Sequence, residues 1–91
     1  MAIHKLNGID DILPEIIHRR EQRHLSQGDL ASLSGVSRKW LNEFEGRRLS
    51  NISVDNLIKV CSALDIKLAF FSSRDVDHNR QRRSLKDNKN A

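Results

Sequence analysis

The order of apolar and polar positions predicts two short helices separated by a sharp turn in residues 26–48. Ser26 is a suitable N-cap for the first helix. Gly35 is suited to end that helix, because glycine enters the left-handed backbone region without a steric penalty. Ser37 is suited to cap the second helix. The apolar side chains that would fill the wedge between the two helices are Leu30, Ala31, Val36, Leu41 and Phe44. A helix, a glycine-containing turn and a second helix form a helix-turn-helix.

Two further helices are predicted around this motif. The first helix of the chain begins near Asp10, whose carboxylate suits an N-cap, or at Pro14, which is tolerated in a first turn. A fourth helix, capped by Ser53, spans residues 54–64. Its spacing predicts a buried stripe made of Leu57, Ile58, Val60, Cys61 and Leu64.

Residues 66–72 are apolar and aromatic, which is typical of a strand. A lone strand with open edges is unstable in water, and the chain offers no clear second strand. We therefore expect a two-fold dimer in which the paired strand contains Lys67, Leu68, Ala69, Phe70 and Phe71. An extended segment packed on its own domain, or an irregular last helical turn, is the alternative. The predicted fold class is all-α, with four to five helices and this one strand paired across the dimer.

Composition indicates one small domain with a separate tail. The chain has 91 residues and a net charge of +4, of which +1 lies in residues 1–72 and +3 in residues 73–91. We expect a DNA-binding and dimerisation domain over 1–72 and a flexible basic tail over 73–91. No run is long enough to span a membrane, the N-terminus has no signal-peptide segment, and a lone Cys61 fits a reducing compartment. The expected location is the cytoplasm, on the nucleoid.

The second helix of the motif has two different faces. Ser37, Leu41 and Phe44 cluster on one side, and the opposite side carries Arg38, Lys39, Asn42 and Glu43. Long side chains that donate hydrogen bonds, and side-chain amides, are the groups that contact base edges in a major groove. Arg38 and Lys39 would favour guanine, and Asn42 would pair with adenine. The alternative interpretation is an ordinary solvated face, but its position after a helix-turn-helix break favours DNA recognition.

Other polar residues suit supporting roles. Gln27 lies at a helix N-terminus, where the dipole favours a phosphate, and Arg47 and Arg48 follow the recognition helix. Arg20 lies in phase with the apolar face of the first helix, so a buried guanidinium would need a partner. Glu45 is the expected one; the alternative is that both side chains are solvated at the flanks of their helices.

Catalytic and metal-binding patterns are absent from the sequence. His4, His18, His24 and His78 lack zinc-type spacing, and one cysteine adds no ligand pair. The sequence contains no phosphate-cradling glycine loop and no recognisable nucleophile with its base. We expect no enzyme activity and no cofactor.

Residues of about 13–66 resemble the phage-repressor type of helix-turn-helix domain, the Cro/C1 or XRE type. The positions that carry the resemblance are Ile16–Arg20, Leu25–Gln27, Asp29–Ala31, Gly35–Ser37, Leu41, Phe44–Gly46 and Leu57–Leu64. The final strand and the helix start at Ser37–Leu41 are similar to those of HipB-like antitoxins. Two positions differ from the family pattern. Ser34 is polar where an apolar residue is usual, and Trp40 is bulky where the residue is often small.

The resemblance implies a dimeric repressor of double-stranded DNA at a palindromic operator. Base contacts are implied for Ser37, Arg38, Lys39, Asn42 and Glu43, and phosphate contacts for Gln27, Trp40, Arg47 and Arg48. It also implies a buried Arg20–Glu45 ion pair. The HipB-like similarity implies an antitoxin that represses its own operon and binds a HipA-type serine/threonine kinase toxin. A phage-repressor-type regulator without a toxin is the alternative.

Overall fold

A computed structural model of the chain describes residues 3–70 and Ser72. Its α-helices are α1 (Leu13–Gln22), α2 (Gln27–Ser34), α3 (Arg38–Glu45) and α4 (Val54–Ala63), and a 3-10 turn at Ile9–Asp11 precedes them. The predicted all-α class is thereby confirmed. Phe71 and the predicted basic tail, residues 73–91, lie outside the described residues.

Serine hydroxyls cap three of the helices as predicted. The hydroxyl of Ser26 accepts from the backbone N–H of Asp29, and the Asp29 carboxylate accepts from that of Ser26, each at 3.0 Å. Ser37 and Ser53 accept from backbone N–H groups at 3.0 and 3.2 Å. Gly35 ends α2 with φ of +82°, in the left-handed region. These caps fix where each helix of the motif begins and ends.

The start of α1 differs from one of the two predictions. Pro14 lies in the first turn of α1, as expected. Asp10 is not the N-cap, because the residue before α1 is Ile12, which has no capping side chain. Asp11 instead accepts from the backbone N–H groups of Asn7 and Gly8 and stabilises the 3-10 turn. The capping carboxylate is therefore that of Asp11, not Asp10, and it serves the 3-10 turn that precedes α1.

All four helices contribute to one core. Its buried members are Ile12, Leu13, Ile16, Leu30, Ala31, Val36, Leu41, Phe44, Leu57, Val60, Cys61 and Leu64. Ala31 lies on α2, which packs against both α3 and α4, so a small side chain suits this crossing. The core holds α2 and α3 in the fixed relation that a helix-turn-helix requires.

The predicted burial of Ile58 is wrong, since its side chain is 48% exposed. The buried positions of α4 follow the spacing Leu57, Val60, Cys61 and Leu64, which leaves Ile58 beyond the edge of the stripe. Residues 66–70 form neither helix nor strand, and Phe70 is 93% exposed. Pairing of this segment with a second copy stays a prediction.

Candidate nucleic-acid interface

The α3 helix has one side buried in the core and the other exposed to solvent. Leu41 and Phe44 are fully enclosed by the core, whereas Arg38, Lys39 and Asn42 are exposed. Within residues 3–70, the side chains of Arg38 and Lys39 make no hydrogen bond or ion pair. Two cationic side chains at the start of an exposed helix are therefore available to an external acceptor.

The N-terminus of α2 lies beside this surface. A Cβ atom placed on Gly28 would lie 3.8 Å from Cδ of Arg38, so the arginine stem passes along the first turn of α2. The free backbone N–H groups of that turn are thus close to the cationic start of α3. A phosphate favours such N–H groups and cations together.

Trp40 lies between core and surface. Its ring is half-buried and stacks on Phe44, with ring centroids 4.9 Å apart and planes inclined by 9°. This contact gives the bulky side chain a packing role on the edge of α3. The phosphate contact that the resemblance implies for Trp40 stays a prediction.

Arg20 of α1 and Glu45 of α3 form a two-pronged ion pair. Nε and Nη2 of Arg20 donate to the two carboxylate oxygens of Glu45 at 2.8 and 2.9 Å, and Nη1 donates to the backbone oxygen of Leu25 at 2.8 Å. The arginine and glutamate side chains are 13% and 6% exposed. The hydrogen bonds that Arg20 donates to Glu45 raise the pKa of Arg20, although partial burial acts in the opposite direction. This pair fixes the end of α3 against α1.

Gln27, Asn42 and Arg48 extend the pair toward the surface. Nε2 of Gln27 donates to Oε1 of Glu45 at 3.0 Å, and Nδ2 of Asn42 donates to Oε1 of Gln27 at 2.9 Å. Nη2 of Arg48 donates to Oδ1 of Asn42. Three of the predicted DNA-contacting residues are thus joined to one another in the free protein.

Arg47 is held by a residue that the sequence did not link to it. Its Nε donates to a carboxylate oxygen of Asp10 at 3.0 Å, in an exposed ion pair. Arg47 also has φ of +58°, a conformation that side-chain-bearing residues rarely adopt. His24 after α1 and Asp65 after α4 have nearly the same φ, so this left-handed conformation is the way in which three of the described helices end.

Arg19 and Arg23, at the C-terminal end of α1, make a second set of contacts between helices. Nη1 of Arg19 donates to the backbone oxygen of Leu64 at 3.2 Å, and Arg23 pairs with Asp65 at 3.1 Å. These contacts join α1 to the end of α4, and the sequence did not predict them. The sequence does place both arginines near the end of a predicted helix, where they could bond to other groups. Their partners could not be predicted, because they lie more than 40 residues away.

Other chemistry has little support in the described part of the chain. Residues 3–70 contain no group of three or more side chains able to hold a metal ion. Cys61 is buried, and burial raises the pKa of its thiol to about 11, so it is not an activated nucleophile. None of the described helices has the length and apolar character needed to cross a membrane.

Comparison with known proteins agrees with this geometry. A family model described as helix-turn-helix matches residues 16–71, well over half of the chain. No curated protein gives a significant match. The matched region contains both helices of the motif, the turn at Gly35 and the whole of α4. The chain therefore belongs to the helix-turn-helix family of Cro/C1 (XRE) type, whose members are DNA-binding transcription regulators.

Proposed function

We propose that this regulator is a dimeric, sequence-specific repressor that inserts α3 of each protomer into a major groove. The observation that carries the proposal is the pair of exposed, unengaged cations Arg38 and Lys39 at the start of a helix whose other face is buried. Two half-sites would lie about 34 Å apart, or a multiple of that distance, on one side of the duplex.

Sequence would be read mainly by the first turns of α3. Arg38 and Lys39 offer donors for the O6 and N7 acceptors of guanine, and Glu43 offers an acceptor for cytosine N4. Ser37 contributes its hydroxyl hydrogen, which is not used when its oxygen accepts from the backbone N–H of Trp40. These contacts supply base preference.

Phosphate contacts would surround this reading surface. Gln27 lies at the N-terminus of α2, and Arg47 and Arg48 follow α3. Trp40 provides a flat wall beside the groove. The net charge of residues 1–72 is close to zero, so the attraction depends on the local cluster rather than on bulk charge.

Selection of duplexes from a random pool, followed by titration of variants, tests this proposal. Arg38→Ala should cost about 1–3 kcal/mol on the selected site and relax the preference at one base pair. Arg47→Ala should weaken all duplexes alike and reduce the salt dependence. Lys59→Ala on α4 removes one charge elsewhere and should leave both properties unchanged. Equal losses for Arg38→Ala on selected and random duplexes would contradict the base-reading role.

Dimerisation would use the segment after α4. Phe70 and Leu68 expose apolar surface, and Val54 and Ile58 expose more on one face of α4. Ile58 and Leu68 line the same groove, and grouped apolar exposure of this kind is typical of a surface that another protein covers. Strand pairing over Lys67–Phe71 with a second copy would cover it. Sedimentation should give a dimer for the natural chain and a monomer for Phe70→Glu, whereas a Phe70→Glu dimer would place the interface elsewhere.

Within this proposal, the regulator is the antitoxin of a HipA-type kinase and represses its own operon. Support comes from the similarity of residues 37–41 and 66–70 to HipB-like antitoxins. A stand-alone repressor without a toxin is the second candidate. Purification of this protein from its own host should yield a complex with a kinase. The activity of that kinase should fall when this protein binds. Purification of the bare homodimer under gentle conditions would favour the stand-alone regulator.

A further inference from the structure

Hydrogen bonds run from Glu45 through Gln27 and Asn42 to Arg48. The two charged ends of this series fix which group donates and which accepts in each bond. A carboxylate only accepts hydrogen bonds and a guanidinium only donates them. Glu45 therefore requires the NH₂ group of the Gln27 amide, which turns the Gln27 oxygen toward Asn42. The Asn42 amide must then turn its NH₂ group to Gln27 and its oxygen to Arg48. No other order of donors and acceptors satisfies all three contacts.

This order leaves Asn42 poorly suited to read adenine. Adenine recognition uses the asparagine oxygen and NH₂ group together, both directed at one base edge. In the protein each of these groups already has a partner on a different element, one at the start of α2 and one after α3. Arg48 also donates to the backbone oxygen of Asn42 at 3.4 Å, which places its guanidinium over the last turns of α3.

We infer that Asn42 is a positioning residue that holds the side chains of Gln27 and Arg48 in place for phosphate binding, instead of contacting a base itself. The inference rests on the proposed DNA-binding function of this surface. Gln27 keeps one N–H and Arg48 keeps several, so both remain able to donate to phosphate oxygens. Fixing two flexible side chains before DNA arrives reduces the entropy lost on binding.

The two roles of Asn42 predict different binding data for Asn42→Ala. A positioning residue affects every duplex, so affinity should fall by about tenfold on the selected site and on random DNA alike. A base reader affects one A·T pair, so the loss should disappear when that pair is replaced. A loss confined to the selected site would overturn the inference while leaving the proposed function intact. Failure of the natural protein to bind any duplex at low salt would overturn both.

A double-mutant cycle gives an independent test of the same inference. In an Arg48→Ala background, Asn42→Ala should lose part of its effect on DNA affinity, because one of the two side chains that Asn42 holds has already been removed. Additive effects of the two substitutions would contradict positioning. In the free protein, Asn42→Ala should also shift the side-chain amide resonances of Gln27, whereas Lys59→Ala on α4 should not. Unchanged Gln27 resonances in Asn42→Ala would likewise contradict it.

Discussion

Removing the carboxylate of Glu45 should be the most damaging single change to the polar part of this fold. Glu45 accepts hydrogen bonds from two nitrogens of Arg20 and from Gln27 at 2.8–3.0 Å. In Glu45→Ala, the guanidinium of Arg20 keeps only its bond to the backbone oxygen of Leu25. The charge would then be left largely enclosed without a counterion.

The magnitude follows from the enclosure of the pair. Breaking a fully buried ion pair costs about 3–5 kcal/mol. Arg20 retains 13% exposure and one hydrogen bond, which lowers the cost. We expect the free energy of unfolding to fall by about 3 kcal/mol in Glu45→Ala, a large part of the roughly 5–15 kcal/mol of a small domain. Urea denaturation followed by circular dichroism measures this change directly.

A matched control lies in the same protein. Glu15 pairs with Arg19 at 3.0 Å, but the arginine and glutamate side chains are 36% and 45% exposed. Glu15→Ala should therefore cost about 0.5 kcal/mol or less. Replacing both Arg20 and Glu45 by Met and Leu should recover most of the stability that Glu45→Ala loses, since no charge is stranded. Equal destabilisation by Glu15→Ala and Glu45→Ala would refute the reasoning.

Three further predictions concern other parts of the fold. Gly28→Ala should raise the free energy of unfolding by about 0.5–1 kcal/mol in urea titrations, because a Cβ there meets only ordinary contacts and alanine favours a helix. Asp10→Asn should strengthen binding to all duplexes, since it frees Arg47 from a competing carboxylate; unchanged affinity in a fluorescence titration would contradict this. Stability should fall more steeply for the natural chain than for Cys61→Ala between about pH 9 and 11. In that range the unfolded thiol loses a proton that burial retains in the folded state, and parallel pH profiles from thermal melts would count against it.

Local rules accounted for the helices and the core. Serine caps and the left-handed glycine act within four residues, so their effects are visible in the sequence around Ser26, Gly35 and Ser37. Periodicity also placed Arg20 on the apolar face of α1 and paired it with Glu45. Ile58 was misassigned because a residue at the margin of a helical stripe is buried only if a neighbouring element reaches it.

The hydrogen-bond partners within the candidate interface were harder to predict from the sequence. The sequence indicated that Gln27, Arg47 and Arg48 suit phosphate contacts, but not that Asn42 joins two of them or that Asp10 holds the third. These contacts depend on how closely α2, α3 and the 3-10 turn approach, which is set by the core rather than by neighbours in the chain. Spacing predicts which residues share a face, whereas hydrogen-bond partners across elements require the tertiary structure.

Mapping of backbone amide chemical shifts during titration with a selected duplex tests the central claim most directly. If α3 enters the major groove, the largest changes should fall on residues 37–43, on Gln27 and on the turn at Arg47 and Arg48, while the outer face of α4 stays unchanged. Changes confined to α4 or to the segment after it, with residues 37–43 unaffected at saturation, would contradict the account.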